Sequence, residues 1–290
     1  MVGERPTSVV VDGFELNGVD GFGAEYRFEK ITGWHEPVRV DVDETQRIVS
    51  HGQFGQRGHR TGRLATITGR VYAARELMPD AIDRLNAILA DGEFGRFEFH
   101  DRIQGERWAR VQLGPNAIRG TWDGSPTFAY QLELLAPDPY KYGATSTGWT
   151  GFATAPVGTG MVFPLFPNGV MNFGPLADAT QTTVANAGTA EAQVTFVVTS
   201  PGALSGGFVI TDITTGKTVT YAGSIPADGS LVLDGSDGTV ILNGTSDRLG
   251  DTLVQAWPTL SAGASKSFLF ERISGSGAPI LTVSVTSTFW

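Results

Sequence analysis

Turn-forming dipeptides punctuate the last third of this chain: Thr215-Gly216, Asp228-Gly229, Asp237-Gly238 and Asn243-Gly244. Glycine reaches positive φ at no steric cost, and turns about ten residues apart leave room only for short strands between them. Thirty-eight glycines among 290 residues carry the same restriction through the rest of the chain, so helices are a minor element. A chain of this length also exceeds what one core comfortably fills, and two domains are expected.

Between the turns the apolar residues alternate. Ala65, Ile67, Val71 and Ala73 share one strand face, with Thr66, Thr68 and Arg70 on the other. Ala109, Val111 and Leu113 repeat the pattern, as do Phe128, Tyr130, Leu132 and Leu134. One helix is predicted, from Pro79 to about Asp91. Pro79 suits its first turn, Asp80 and Asp83 its positive end and Gly92 its stop, while Ile82, Leu85, Ile88 and Leu89 form its buried stripe. Further on, Val194, Phe196 and Val198 alternate, then Val219 and Tyr221, Phe268 and Phe270, and Leu281, Val283 and Val285.

Charge divides the chain near residue 142. Residues 1–142 hold 17 Lys+Arg, 21 Asp+Glu and all four histidines, whereas 143–290 hold 4 and 9 and are rich in Gly, Ser, Thr and Val. The expected organisation is a first domain over 1–142, a linker with an extended segment over 143–180, and a second domain over 181–290. The prolines of Met161-Val-Phe-Pro-Leu-Phe-Pro-Asn-Gly-Val170 argue against helix or central strand in that linker. The fold class is mainly β: an N-terminal β-barrel or β-sandwich-like domain with one packed helix, then an antiparallel β-sandwich.

The formal net charge of -9 argues against binding by phosphate neutralisation and against an anionic membrane surface. Without cysteine there are no disulfides, no thiolate catalysis and no Cys-based metal site. No secretory signal, spanning segment or cofactor motif is evident, so no membrane insertion and no cofactor are expected. His51 and His59 flank the stretch HGQFGQRGH at a spacing that zinc helices do not use, and a polar loop explains it better. His100-Asp101-Arg102 reads as a turn. Asp234-Gly-Ser-Asp237-Gly238 lacks the ligand spacing and distal Glu of a calcium loop and reads as turns between strands. Asp212, Asp247, Asp251 and Glu271 are the acids from which a glycosidase pair would have to come, and surface acids are the commoner explanation. Trp257 and Phe289-Trp290 are aromatic candidates for stacking on sugar, with sandwich core the plainer reading of Trp257.

The order of pieces says more than any one of them. Val9-Val-Val-Asp-Gly-Phe leads through Ile31-Thr-Gly-Trp34 and Glu36-Pro-Val-Arg39 to His51-Gly52. Then come the strand Gly62–Val71, the helix, and Phe128-Ala-Tyr-Gln-Leu-Glu-Leu-Leu-Ala-Pro-Asp-Pro-Tyr140, with Asp138, Pro139 and Tyr142 at the exit. This resembles the N-terminal domain of siphophage distal tail proteins. Phe208-Val-Ile-Thr-Asp, Ile225-Pro-Ala-Asp-Gly229, Leu231-Val-Leu-Asp234, Val240-Ile-Leu-Asn243 and Trp257-Pro-Thr-Leu260 resemble that family's C-terminal domain, a galectin-like jelly roll. The resemblance implies a structural tail-tip hub and no catalytic residues. It implies a homo-hexameric ring built from the first domain, with the tail tube protein on one side and a tail-tip or tail-associated protein on the other. DNA would pass through the lumen without specific binding, and a host surface glycan is an alternative partner of the second domain. In such a ring, Arg47, Arg57, Arg60 and Arg63, in and beside the loop His51–Arg63, are candidate subunit-interface residues, because a guanidinium makes fork-shaped bonds to carboxylates.

Overall fold

The computed structural model describes residues 8–42, 45–47, 50–51, 53–55, 58–122, 127–152 and 180–290. They form two compact units, one comprising Met1–Ala144 with Phe289–Trp290 and the other Thr145–Thr288.

The first unit opens with β1 (Ser8–Val11), β2 (Phe14–Glu15), β3 (Gly18–Val19) and β4 (Glu25–Thr32). An arm follows, containing β5 (Val40–Asp41), β6 (Thr45–Gln46), β7 (Gln53–Phe54) and β8 (His59–Arg60). Then come β9 (Arg63–Tyr72), α1 (Met78–Asn86), β10 (Gly95–Asp101), β11 (Gly105–Trp122), β12 (Thr127–Ala136) and the start of β13 (Lys141–Gly151). Every pairing is antiparallel, in the order β2-β1-β10-β11-β12-β9-β4-β3. The long β11 makes the turn between the two halves. Its first part pairs with β10 up to Val111 and its last part with β12 from Gln112, with a register irregularity between Leu113 and Ile118. Phe28 of β4 faces Phe99 of β10 at 5.8 Å between ring centroids, and Trp34 meets Phe97 at 4.8 Å, so the halves close over a shared core. Among the described residues this sheet ends on β2 and β3 and does not close, which corrects the barrel alternative in favour of the sandwich. Two-residue strands at both ends are too short to zip the edges together.

The helix is shorter than predicted. α1 stops at Asn86, and Leu89 turns to φ +51°. Beyond it the amides of Ile88, Ala90 and Gly92 bond three residues back, to Leu85, Ala87 and Leu89. This tightening brings Leu89 inward beside Ile88, Leu85, Ala81 and Met78, so burial of Leu89 overrides the straight helical stripe. Ile82 is only half-buried.

The second unit is a two-layered sandwich. Its strands are the rest of β13, β14 (Gln181–Ala185), β15 (Ala192–Ser200), β16 (Phe208–Asp212), β17 (Thr218–Tyr221), β18 (Gly229–Asp234), β19 (Thr239–Leu242), β20 (Ser246–Asp247), β21 (Thr252–Gln255), β22 (Thr259–Leu260), β23 (Ser265–Arg272) and β24 (Ile280–Phe289). One sheet runs β20-β19-β18-β15-β24 and the other β14-β23-β16-β17-β21. Strict alternation drives this: along β15, Ala192, Val194, Phe196 and Val198 are buried and the residues between them are not. Phe196 and Phe268 lock the two layers edge to face at 5.3 Å. Strand β13 occupies the first part of the segment read as linker, and Met161–Val170 lies outside the described residues.

Candidate functional site

The region read from sequence as a polar loop is a β-hairpin arm. Val40 pairs with Arg60 and Asp41 with His59, then Thr45 with Phe54 and Gln46 with Gln53. The ladder shifts register between its two rungs, and the Thr61 amide closes its base on the Arg39 carbonyl at 3.1 Å. His51 and His59 are exposed on this arm, and among the described residues no three His, Asp or Glu side chains are placed to hold a metal ion.

The four predicted arginines fare differently. Arg47 is exposed near the far end of the arm, and Arg57 lies outside the described residues. Arg60 is exposed at the arm's base. Its guanidinium lies 4.3 Å from the centre of the Trp290 ring, and that ring packs on Tyr140 at 4.6 Å. Arg63 is the correction. It is only 2% exposed, and its fork is used up inside the subunit. Nη1 donates to the carbonyls of Gly33, Trp34 and Glu36, each at 3.0 Å, while Nε and Nη2 donate to the Pro139 carbonyl at 3.3 and 3.1 Å. It cannot reach across a seam; it ties both ends of the arm to the exit of the domain.

Lys141 reinforces that tie, donating to the Trp34 carbonyl at 3.3 Å with its ammonium 5.7 Å from the Trp34 ring. Burial, with Arg63 and Arg107 nearby, lowers its pKa to about 8. The turn beneath needs Gly33, at φ +81°, where a Cβ would fall 1.9 Å from the Leu64 carbonyl oxygen. At the exit, Asp138 accepts from the Tyr140 amide at 3.0 Å and from the Tyr142 hydroxyl. Burial, then that bond to Asp138, pushes the Tyr142 phenol well above its usual pKa. The motif Asp138, Pro139, Tyr142 was visible in the sequence. Its receptor was missed, because Arg63 is 76 residues from Pro139 and nothing local joins the two.

Three of the four candidate acids of the second unit, Asp212, Asp247 and Asp251, hold turns or ion pairs. Asp212 is buried and meets Lys266 Nζ at 2.6 Å, Thr215 Oγ1 at 2.6 Å and the Thr214 amide at 2.9 Å. Burial alone would raise its pKa, but these bonds outweigh it and hold the carboxyl below its ordinary value. Asp247 accepts from the Leu249 amide, Asp251 pairs with Arg248 at 3.5 Å, and Glu271 is exposed on β23. Asp234 accepts from the Ser236 amide and hydroxyl, a closed turn. Trp257 is half-buried against the sandwich core, and Arg107 covers Phe289 at 3.7 Å. No helix among the described residues is long and apolar enough to cross a membrane.

No protein-family model matches the sequence, and no curated protein is similar to it. Solved structures do resemble it. The Dit protein of phage SPP1, described as a paradigm of the hub adsorption apparatus of phages infecting Gram-positive bacteria, aligns at a TM-score of 0.66 and 15% identity over 98% of this chain and 99% of that one. A chain of the phage P2 baseplate, activated with Ca, aligns at 0.48 and 11% identity over 89% of each chain, and the Sr form at 0.45 and 12%. Over nearly its whole length the chain has the fold of the SPP1 Dit protein.

Proposed function

We propose that this chain is the distal tail protein of a long, non-contractile phage tail, a structural subunit and not an enzyme. The observation that carries the reading is a fold match that takes in both units, at 98% and 99% of the two chains. Six copies form a ring through the first unit at the distal end of the virion's tail. The ring joins the tail tube protein on one side to a tail-tip protein on the other and leaves a central channel for DNA. The first domain's acidic balance, 17 Lys+Arg against 21 Asp+Glu, suits such a channel, because a wall of the same sign as DNA does not retain it.

A closed ring needs two different faces on each subunit. The hairpin arm supplies candidate contacts in Arg47, Arg57 and Arg60, held at its base by the buried Arg63. Mass photometry of the purified chain tests the ring: a particle of six 30.8-kDa chains is expected. Charge reversal at Arg57 and Arg60 should reduce that population, and unchanged assembly would remove the arm arginines from the seam.

A further inference from the structure

We propose that Trp290 is a positioning residue for the arm: its ring joins Arg60 of the arm to Tyr140 of the domain exit and so fixes where the arm stands on the first unit. The inference concerns the arm itself and stands apart from the ring reading.

The arm needs such a hold. Its two ladders, β5 with β8 and β6 with β7, are two residue pairs each, and a lone two-stranded ribbon is marginal in water. Its first apolar side chains do not cover it, since Val40 is 47% exposed and Val42 41%. Arg63 ties down the base through the carbonyls of Gly33, Trp34 and Glu36, and the Thr61 amide closes on the Arg39 carbonyl. Neither tie reaches the first rung, where Val40 faces Arg60.

Arg60 carries the hold onto that rung. Its guanidinium lies 4.3 Å from the centre of the Trp290 ring, inside the ~6 Å reach of a cation–π contact. Its Nη1 also donates to the Val38 carbonyl at 3.5 Å, so one side chain touches both the ring and the opposite strand of the arm.

The ring itself rests on fixed ground. It packs on Tyr140 at 4.6 Å between centroids. Tyr140 stands between Pro139, whose carbonyl accepts from Arg63, and Lys141, which donates to the Trp34 carbonyl. The Tyr140 amide is bonded to Asp138 at 3.0 Å. Phe289 seats the residue next to Trp290: the Arg107 guanidinium covers it at 3.7 Å, and a Cβ added to Gly143 would fall 2.9 Å from its ring. Both aromatic residues accordingly belong to the first unit. Trp290 stays 42% exposed, so its removal takes little from the core.

Hydrogen exchange of the full chain, diluted until monomeric, tests the proposal. The amides of β5 to β8 are the readout and those of β9 to β12 the reference, with melting curves to verify the fold. Trp290→Ala should speed exchange in the arm roughly fivefold and leave the reference strands unchanged. Trp290→Phe should restore most of the protection because it keeps a ring face, whereas Trp290→Leu, which fills space without one, should not. Arg60→Ala should also speed arm exchange, and the double alanine variant should fall short of the sum of the two, because both remove one contact. Unchanged arm exchange in Trp290→Ala, full protection in Trp290→Leu, or additive effects of the two alanine variants would overturn the proposal. Read on monomers, none of these outcomes bears on whether rings form.

Discussion

Arg63 and Lys141 put two cations around the Trp34 turn, and the surrounding carbonyls make that arrangement tolerable. Three backbone carbonyls of the turn and one of the exit loop accept from Arg63. Arg63→Ala takes the donor from the carbonyls of Gly33, Glu36 and Pro139 and leaves that of Trp34 to Lys141 alone, and a loss of about 3 kcal/mol is expected in the first unit's melting transition. Arg63→Lys should recover little, because an ammonium cannot span both carbonyl sets. Lys141 behaves differently. Its folded pKa of about 8 lies below the ordinary 10.5, so between those values the unfolded chain binds more protons. Stability of the first unit therefore rises as pH increases through that window, by at most about 3 kcal/mol at ~1.36 kcal/mol per unit. Lys141→Met should flatten the rise, as read by melting temperature at pH 7 and pH 10. In the second unit Asp212→Ala strands Lys266 and the Thr215 turn, at a cost of about 3 kcal/mol. The depressed carboxyl pKa means that this stabilisation is present above the unfolded value of 3.8 and fades as pH falls below it.

Elements follow local rules until a long-range contact intervenes. β9 keeps its alternation throughout: Ala65, Ile67 and Val71 are buried and Thr66, Thr68 and Arg70 are not, as period two requires. The sandwich strands were legible for the same reason. Three features were not. α1 ends early because Leu89 finds the core only by leaving the helical path. The arm pairs with itself; Val38, Val40 and Val42 alternate with Arg39, Asp41 and Asp43 in its first half, but the returning segment around His51–Arg60 is polar and glycine-rich and carries no such pattern. Arg63 opens β9 on the buried face, where its phase matches Ala65 and Ile67, and that phase was the signal that it points inward. Gly33 shows how tightly the arm's base is drawn. Gly33→Ala combines positive φ with a 1.9 Å clash, and the first unit should lose at least about 2 kcal/mol in a denaturant titration.

At the scale of the whole molecule, two cores of similar size argue for two units that unfold as separate transitions. Calorimetry should then show Arg63→Ala lowering one transition and Asp212→Ala the other. The candidate contact surface was partly legible: the order of motifs pointed to the hub fold, while the carbonyls that Arg63 ties together lie 27 to 76 residues away and could not be named. Gold-labelled antibody against the second unit, applied to intact virions and viewed by electron microscopy, should mark the distal end of the tail alone. Label along the whole tube, on the capsid, or missing from purified virions would contradict the account.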